Sequence, residues 1–297
     1  MPKPSRGKLV AAFAAIYIIW GSTYLGILLA IQTIPPLLMA GTRFFIAGLI
    51  LFALAKRGQY KPATLKQWRN AAIIGLLLLV GGNGAVVFSE RMVPSGLAAL
   101  LVAVVPIWVV LIDWARPRGK KPTLPIIGGL VLGVIGLLVL VNPFSSSSEI
   151  RFAGVILLMF GTVSWAGGSV LAQHIDLPKS AALATAIETL AAGVVYLTLS
   201  LIMQEPMHLD LASVSAKSIG GMIFLITFGS VVAFSAYVWL LKVSTPAKVS
   251  TYAYVNPVVA LLLGWTFAGE SLSIRTLVAS AIIISAVALI TVARSSA

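Results

Sequence analysis

The sequence predicts an all-α integral membrane protein: ten transmembrane helices, built as two inverted five-helix repeats, with both termini in the cytoplasm. Three observations predict it. Of the 297 residues, 59% are apolar and only 10% are charged, against about 25% charged residues in an ordinary soluble domain. A soluble domain of this size hides only about three quarters of the surface its unfolded chain exposes, so this chain needs lipid as its solvent. Charges, prolines and glycine clusters cut it into ten apolar stretches, each close to the ~20 residues that span a bilayer. With the N-terminus in the cytoplasm, 16 Lys and Arg residues fall on the cytoplasmic face and 4 on the other, and Arg43 lies inside a span. Positive residues favour the cytoplasmic side, and one missed span would scramble the alternation.

The first stretch, 9–31, follows Lys3, Arg6 and Lys8. Basic residues before an apolar run resemble a signal peptide, but this run exceeds an h-region of ~7–15 residues, so it reads as a retained helix. Pro35 and Pro36 form the tight hairpin into the second stretch, 35–55. Lys56, Arg57, Lys61, Lys66 and Arg69 mark the basic segment before the third, 71–90. Val93-Pro94 breaks the chain before the fourth, 94–113, and Arg116, Arg118, Lys120 and Lys121 precede the fifth, 124–142. Ser145–Ser148 is a low-complexity spacer on the outer face before the sixth, 152–173. The remaining stretches are 179–203, 216–241, 246–267 and 272–293, separated by the 204–217 loop, by Lys242 and Lys248, and by Gly269-Glu270-Ser271. The connections are too short to hold a soluble domain.

The formal charge of +13 belongs to basic loops at a membrane face and predicts lipid rather than nucleic-acid contact. There is no cysteine, hence no disulfide, Cys-zinc or iron–sulfur site. His174 and His208 stand in loops without ligand partners, so no metal or other cofactor is expected. An integral-membrane lipid-modifying enzyme would need clustered acids, histidines or metal ligands. The chain has no His-Glu-x-x-His, no paired Asp motif and no Gly-Lys-Ser/Thr phosphate loop, which also excludes an ATP-driven pump within it.

The two halves, 1–143 and 144–297, echo each other. Trp20-Gly21-Ser22 returns as Trp165-Ala166-Gly167 at an offset of 145, which also carries Arg43 onto Glu188 and Gly48 onto Gly193. Pro106 and Trp114 return as Pro257 and Trp265 at an offset of 151. Five spans per half is odd, so the second half enters the membrane upside down, the inverted-repeat plan of secondary transporters with the site near the midplane. Trp20-Gly21-Ser22, Arg43-Phe44, the run Val93 to Leu100 leading to Pro106, Trp165-Ala166, and Asn256-Pro257 through Gly269-Glu270-Ser271-Leu272 together resemble the EamA-type repeat of the drug/metabolite transporter superfamily over nearly the whole chain. The chain is most similar to bacterial inner-membrane exporters of amino acids, including aromatic ones. It departs from the pattern at Arg118-Gly119-Lys120-Lys121, where the second half has Gly269-Glu270. The resemblance implies alternating access around a cavity built from spans one, three, four, six, eight and nine.

Candidate site residues follow from their chemistry and place. Trp20 and Trp165 lie about twelve residues into their helices, too deep for an interfacial belt, and suit the lining of a cavity for an apolar or aromatic side chain. Trp108, Phe234, Tyr237, Tyr252 and Tyr254 are further in-span aromatics. Asn83, within Gly81-Gly82-Asn83-Gly84, and Asn256 could hydrogen-bond a substrate or glue helices. Pro106 and Pro257 lie in spans, where proline frees backbone carbonyls, as kinks that shape the cavity. Ser22, Thr23, Ser164, Ser169, Ser230 and Ser235 offer polar contacts, though most such hydroxyls bond their own helix. Arg43 and Glu188 are charges deep within spans, a functional signal by cost. Glu90, Asp113 and Glu270 fall at span ends, where water is expected, with Glu270 starting the tenth helix. Glu188 is then the one acid placed to carry a proton, on a span outside the cavity wall, so flux is expected to follow the substrate gradient. Gly129-x-x-x-Gly133 permits close packing in a monomer or weak homodimer. The function expected is export of amino acids and related small metabolites across the bacterial inner membrane. Lipophilic drugs or cations form the alternative, and these favour a cavity carboxylate.

Overall fold

The computed structural model describes residues 5–57, 62–116, 121–141, 152–244, 249 and 251–295, with side chains for all of these except 141, 241, 242, 254, 294 and 295. Among them there is no strand. The helices are α1 (Arg6–Ala30), α2 (Pro36–Arg57), α3 (Leu65–Ser89), α4 (Ser95–Ala115), α5 (Leu124–Val141), α6 (Phe152–Ala172), α7 (Ala181–Ile202), α8 (Ala216–Leu240), α9 (Tyr252–Phe267) and α10 (Ile274–Ser295). Eight are long and apolar enough to cross a membrane; α5 and α9 supply the shorter apolar runs Leu124–Leu140 and Val255–Phe267. Large apolar side chains such as Leu49, Val131, Leu138, Phe160 and Leu262 face outward, as lipid contact requires.

Local chemistry sets the helix ends. Thr64 and Gln67 form a capping box that starts α3 earlier than the apolar run alone suggests, while Ser180 and Ser215 cap α7 and α8. At the end of α9, Gly269 takes φ 69° and the Ala268 and Glu270 amides both donate to the Gly264 carbonyl, a left-handed glycine cap.

Packing pairs α2 with α7, α5 with α10, and α4 with α9. The remaining large contacts come in couples: α3 with α6 and α8 with α1, α6 with α4 and α1 with α9, α7 with α3 and α2 with α8. Exchanging the first five helices for the last five maps this set onto itself. The α2–α7 seam is the most extensive, and Gly41, Gly48 and Gly193 let it close: a β-carbon at these positions would collide with Leu197, Leu190 and Phe45.

Three helices widen into π-helical turns, at Ala15–Ile19 in α1, Leu76–Asn83 in α3 and Leu225–Ala233 in α8. Such turns leave backbone carbonyls without their usual partner and recur at functional sites. Side chains from other helices complete them. Ser164 donates to Leu77 at 2.7 Å, Tyr196 to Leu79 at 2.8 Å, and Trp20 Nε1 to Gly229 at 3.3 Å.

Candidate functional site

The widened turns surround a cavity with about 800 Å³ of empty space, part of it open to the outside. Helical periodicity supplies most of its wall. On α1 the lining residues are Trp20, Thr23, Tyr24 and Ile27; on α3 they are Leu79, Gly82, Asn83 and Val86; on α6 they are Leu158, Gly161, Thr162 and Trp165. Each set has the i, i+3, i+4, i+7 spacing of one helix face. Val102 and Val105 of α4, Gly229, Ser230 and Phe234 of α8, and Tyr252 and Asn256 of α9 complete the expected helices. The expected wall lacked α2, which contributes Arg43 and Phe44.

Trp20 is the hub of an aromatic cluster. Its ring centroid lies 4.9 Å from Tyr237, 5.2 Å from Tyr252, 6.1 Å from Trp165 and 6.4 Å from Phe234. The Tyr252 and Trp165 contacts are edge-on at 84° and 87°, a favourable ring geometry. Tyr237 stands behind the wall and supports Trp20 rather than lining the cavity. Trp108 is apart from it, packed with Val104, Ile107, Ile126 and Ile290 where α4 meets α5 and α10. The side chain of Tyr254 lies outside the described residues.

The prolines divide. Helix α4 breaks after Val102 and resumes at Val105, so Pro106 occupies the first turn of a new helical segment rather than an interior. There its missing N–H costs nothing. Pro257 is inside α9. Beside it, the end of the Asn256 side chain faces the carbonyls of Ile16, Tyr17 and Tyr252; three acceptors there assign the amide nitrogen to that side, where it donates over 3.2, 3.0 and 3.2 Å. Two of these belong to the π-helical turn of α1, so Asn256 clasps α9 to α1 at the rim of the cavity. Gly21 allows the approach, because a β-carbon there would meet Val259 and the Asn256 carbonyl.

Most hydroxyls serve their own helix, as expected: Ser22 donates to Ile18, Thr23 to Trp20 and Ser169 to Trp165. Ser230 is different. It accepts from Arg43 Nε at 2.9 Å, and the guanidinium lies 4.7 Å over the Phe44 ring, a cation–π contact. Arg43 is 4% exposed and its Nη1 is buried without a partner; Asn83 Oδ1, in the same wall, is also buried without one. Glu188 is buried on α7 but outside the cavity wall. Among the described residues, Arg43 is the one ionised group in that wall, which holds no Asp or Glu.

Two acids depart from their expected places. Glu270 does not start α10, whose first turn rests on Ser273. Its carboxylate instead accepts from the Ser95 and Gly96 amides at 2.6 and 3.0 Å, capping α4, and the left-handed turn at Gly269 aims it there. Glu205 does the same for α2, accepting from Leu37 and Leu38 at 3.2 and 2.7 Å. Glu90 does not meet water: it is 5% exposed, and both carboxylate oxygens are buried without partners. The sequence carried signals for Tyr24 and Thr162, which share helix faces with Trp20 and Trp165, but none for the burial of Glu90.

Comparison with known proteins places these features. The model of the EamA-like transporter family matches residues 7–142 and again 152–292. The chain is 42% identical to the uncharacterized inner membrane transporter YedA of Escherichia coli strain K12, over 96% of this chain and 91% of that one. It is 27% identical to protein PecM of Dickeya dadantii, over 92% and 88%, and 25% identical to the uncharacterized transporter YoaV of Bacillus subtilis, over 93% and 94%. A solved crystal structure shares the fold with a TM-score of 0.69 at 18% identity, covering 98% of this chain and 99% of that one. The apolar helices and these relatives make this a multi-pass protein of the inner membrane.

Proposed function

We propose that this chain, which belongs to the EamA-like transporter family, exports amino acids and related carboxylate-bearing metabolites through the cavity at its centre. One observation carries the reading. Among the described residues, the cavity joins an aromatic wall around Trp20 and Trp165 to a single ionised side chain, Arg43, with no acid in the wall itself. In a low-dielectric pocket a fixed cation attracts an anionic group and repels a cation. This favours a small carboxylate with an apolar side chain over lipophilic cations. Trp20, Asn83, Trp165 and Tyr252 line the route, Asn256 and Pro257 shape its rim, and Tyr237 backs the aromatic wall. Tyr254 remains a candidate on α9 by its place in the sequence.

The transport cycle proposed is alternating access between two inverted halves, 1–143 and 144–297, with ten spans and both termini in the cytoplasm. Supporting it are the two successive family matches, the self-mapping helix contacts and the 16 to 4 basic bias. The test is uptake of a panel of labelled amino acids by liposomes holding the purified protein. Uptake of aromatic or large neutral members is expected, and Trp20→Ala or Trp165→Ala should reduce it at least tenfold while the protein still folds. Uptake of lipophilic cations in preference to every amino acid would refute the reading.

A further inference from the structure

The cavity closes differently at its two ends. With the N-terminus in the cytoplasm, α1, α3 and α9 run outward and α4, α6 and α8 run inward. Among the described residues, the innermost lining positions are then Trp20 on α1, Trp165 on α6, Phe234 on α8 and Tyr252 on α9. These rings are the aromatic cluster around Trp20, so the cluster is the cavity floor. Directly inward of Trp20 on α1, the hydroxyls of Tyr17 and Thr251 share a hydrogen bond of 2.5 Å. Thr251 immediately precedes α9. The Tyr17 and Ile16 carbonyls, both in the π-helical turn of α1, accept from the Asn256 amide nitrogen at 3.0 and 3.2 Å. Three interhelical hydrogen bonds thus join α1 to α9 beside and beneath the floor.

The equivalent positions of the other half carry no such bonds. The offset of 145 that relates α1 to α6 carries Tyr17 onto Thr162, and the offset of 151 that relates α4 to α9 carries Thr251 onto Leu100 and Asn256 onto Val105. Thr162 donates its hydroxyl to Met159 of its own helix at 2.7 Å. Leu100 and Val105 have no side-chain donor or acceptor, and Leu100 is fully buried in the apolar cluster that holds Val87, Leu101 and Leu158. At the outer end these positions offer apolar packing alone. Two inverted halves exchange the roles of their ends as the cycle runs, so matched ends would make the two facing states equal in energy. Hydrogen bonds present at one end only favour the state in which that end is shut. We propose that Tyr17, Thr251 and Asn256 form the inner latch of the transporter: positioning residues that hold α1 against α9 and seal the empty cavity from the cytoplasm. Trp20 follows Tyr17 by one turn on the same helix, so releasing the latch lets α1 carry the hub of the aromatic floor away from α9. The inference rests on the topology and alternating access proposed above and not on the identity of the substrate.

The chain has no cysteine, so one reporter thiol can be read without background. Val102→Cys places it in the cavity wall on α4, away from the latch. A membrane-impermeant maleimide is offered from outside to intact bacterial cells and from the cytoplasmic face to inverted membrane vesicles, and the two labelling rates are compared. The reporter alone should react faster from outside. Tyr17→Phe keeps the ring and removes the hydroxyl; it should raise the cytoplasmic rate about two- to tenfold, the population change that one uncharged hydrogen bond supports, without raising the outside rate. Thr251→Val should do the same, and the double variant should add little to either, since both changes remove one bond. Asn256→Leu removes both bonds to α1 and should raise the cytoplasmic rate further. Equal rate increases from both faces would mark a general loosening of the fold and overturn the latch. Unchanged rates in Tyr17→Phe and Thr251→Val, with the reporter alone still favouring the outside, overturn the latch and leave alternating access standing. Equally rapid labelling of the reporter alone from both faces overturns alternating access and the latch together.

Discussion

The α2–α7 seam invites a quantitative test, because the sequence repeat pairs Gly48 with Gly193 and the structure places both on it. A β-carbon at 193 would lie 2.5 Å from the Phe45 amide nitrogen and 2.7 Å from its α-carbon, where ordinary contact begins at 3.4 Å. Both atoms are backbone, so no rotamer change relieves the overlap, and the helices must part by roughly 0.9 Å. Overpacking of this kind costs about 1–3 kcal/mol, and a rigid backbone neighbour puts it at the upper end. Alanine regains about 1 kcal/mol of helix propensity over glycine. The expected net loss for Gly193→Ala is about 2 kcal/mol, or a Tm lower by about 4–8 °C. Gly220→Ala is the control: nothing lies within 4 Å of a β-carbon there, so it should gain up to about 1 kcal/mol from propensity alone. Thermal unfolding in detergent, followed by near-ultraviolet circular dichroism, reads both. A Gly193→Ala protein as stable as the native one, or one that outlasts Gly220→Ala, would refute the close-approach argument. Phe45 directly follows Arg43 and Phe44 in α2, so the same shift should weaken carboxylate binding in parallel with the loss of stability.

Two further outcomes follow from the same structure. Glu270→Gln keeps the size of the side chain but leaves one acceptor oxygen for the two amides of Ser95 and Gly96 and removes the charge from the α4 N-terminus; a loss of about 1–2 kcal/mol is expected, and an unchanged unfolding temperature would count against that cap. Reporter fusions after Arg57 and Lys179 should report the cytoplasm and fusions after Arg91 and Asp210 the outside, whereas a cytoplasmic signal at Asp210 would break the ten-span topology.

Composition, the placement of Lys and Arg, and prolines at span ends determined the helical class and the approximate limits of the helices, because each acts within a few residues of its own position. The same locality made the aromatic wall legible. Trp20 and Trp165 stand too deep for an interface, and helical spacing from either one leads to Tyr24 or Thr162. What only the tertiary structure decided depends on neighbours far along the chain. Trp108 follows Val105 at helical spacing, yet the meeting of α4 with α5 and α10 puts it outside the cavity. Glu270 precedes α10, yet it serves α4, since the left-handed turn at Gly269 aims the carboxylate across the helix boundary. Asn256 could have faced a substrate, but the Ile16 and Tyr17 carbonyls in the widened turn of α1 take its amide nitrogen. Glu90 sits at a span end, where local reasoning supplies water, and the elements brought around it exclude that water. Helix formation is set by short-range propensity and polarity; whether a charge ends in water or on a helix terminus is set by which distant segments the fold brings against it.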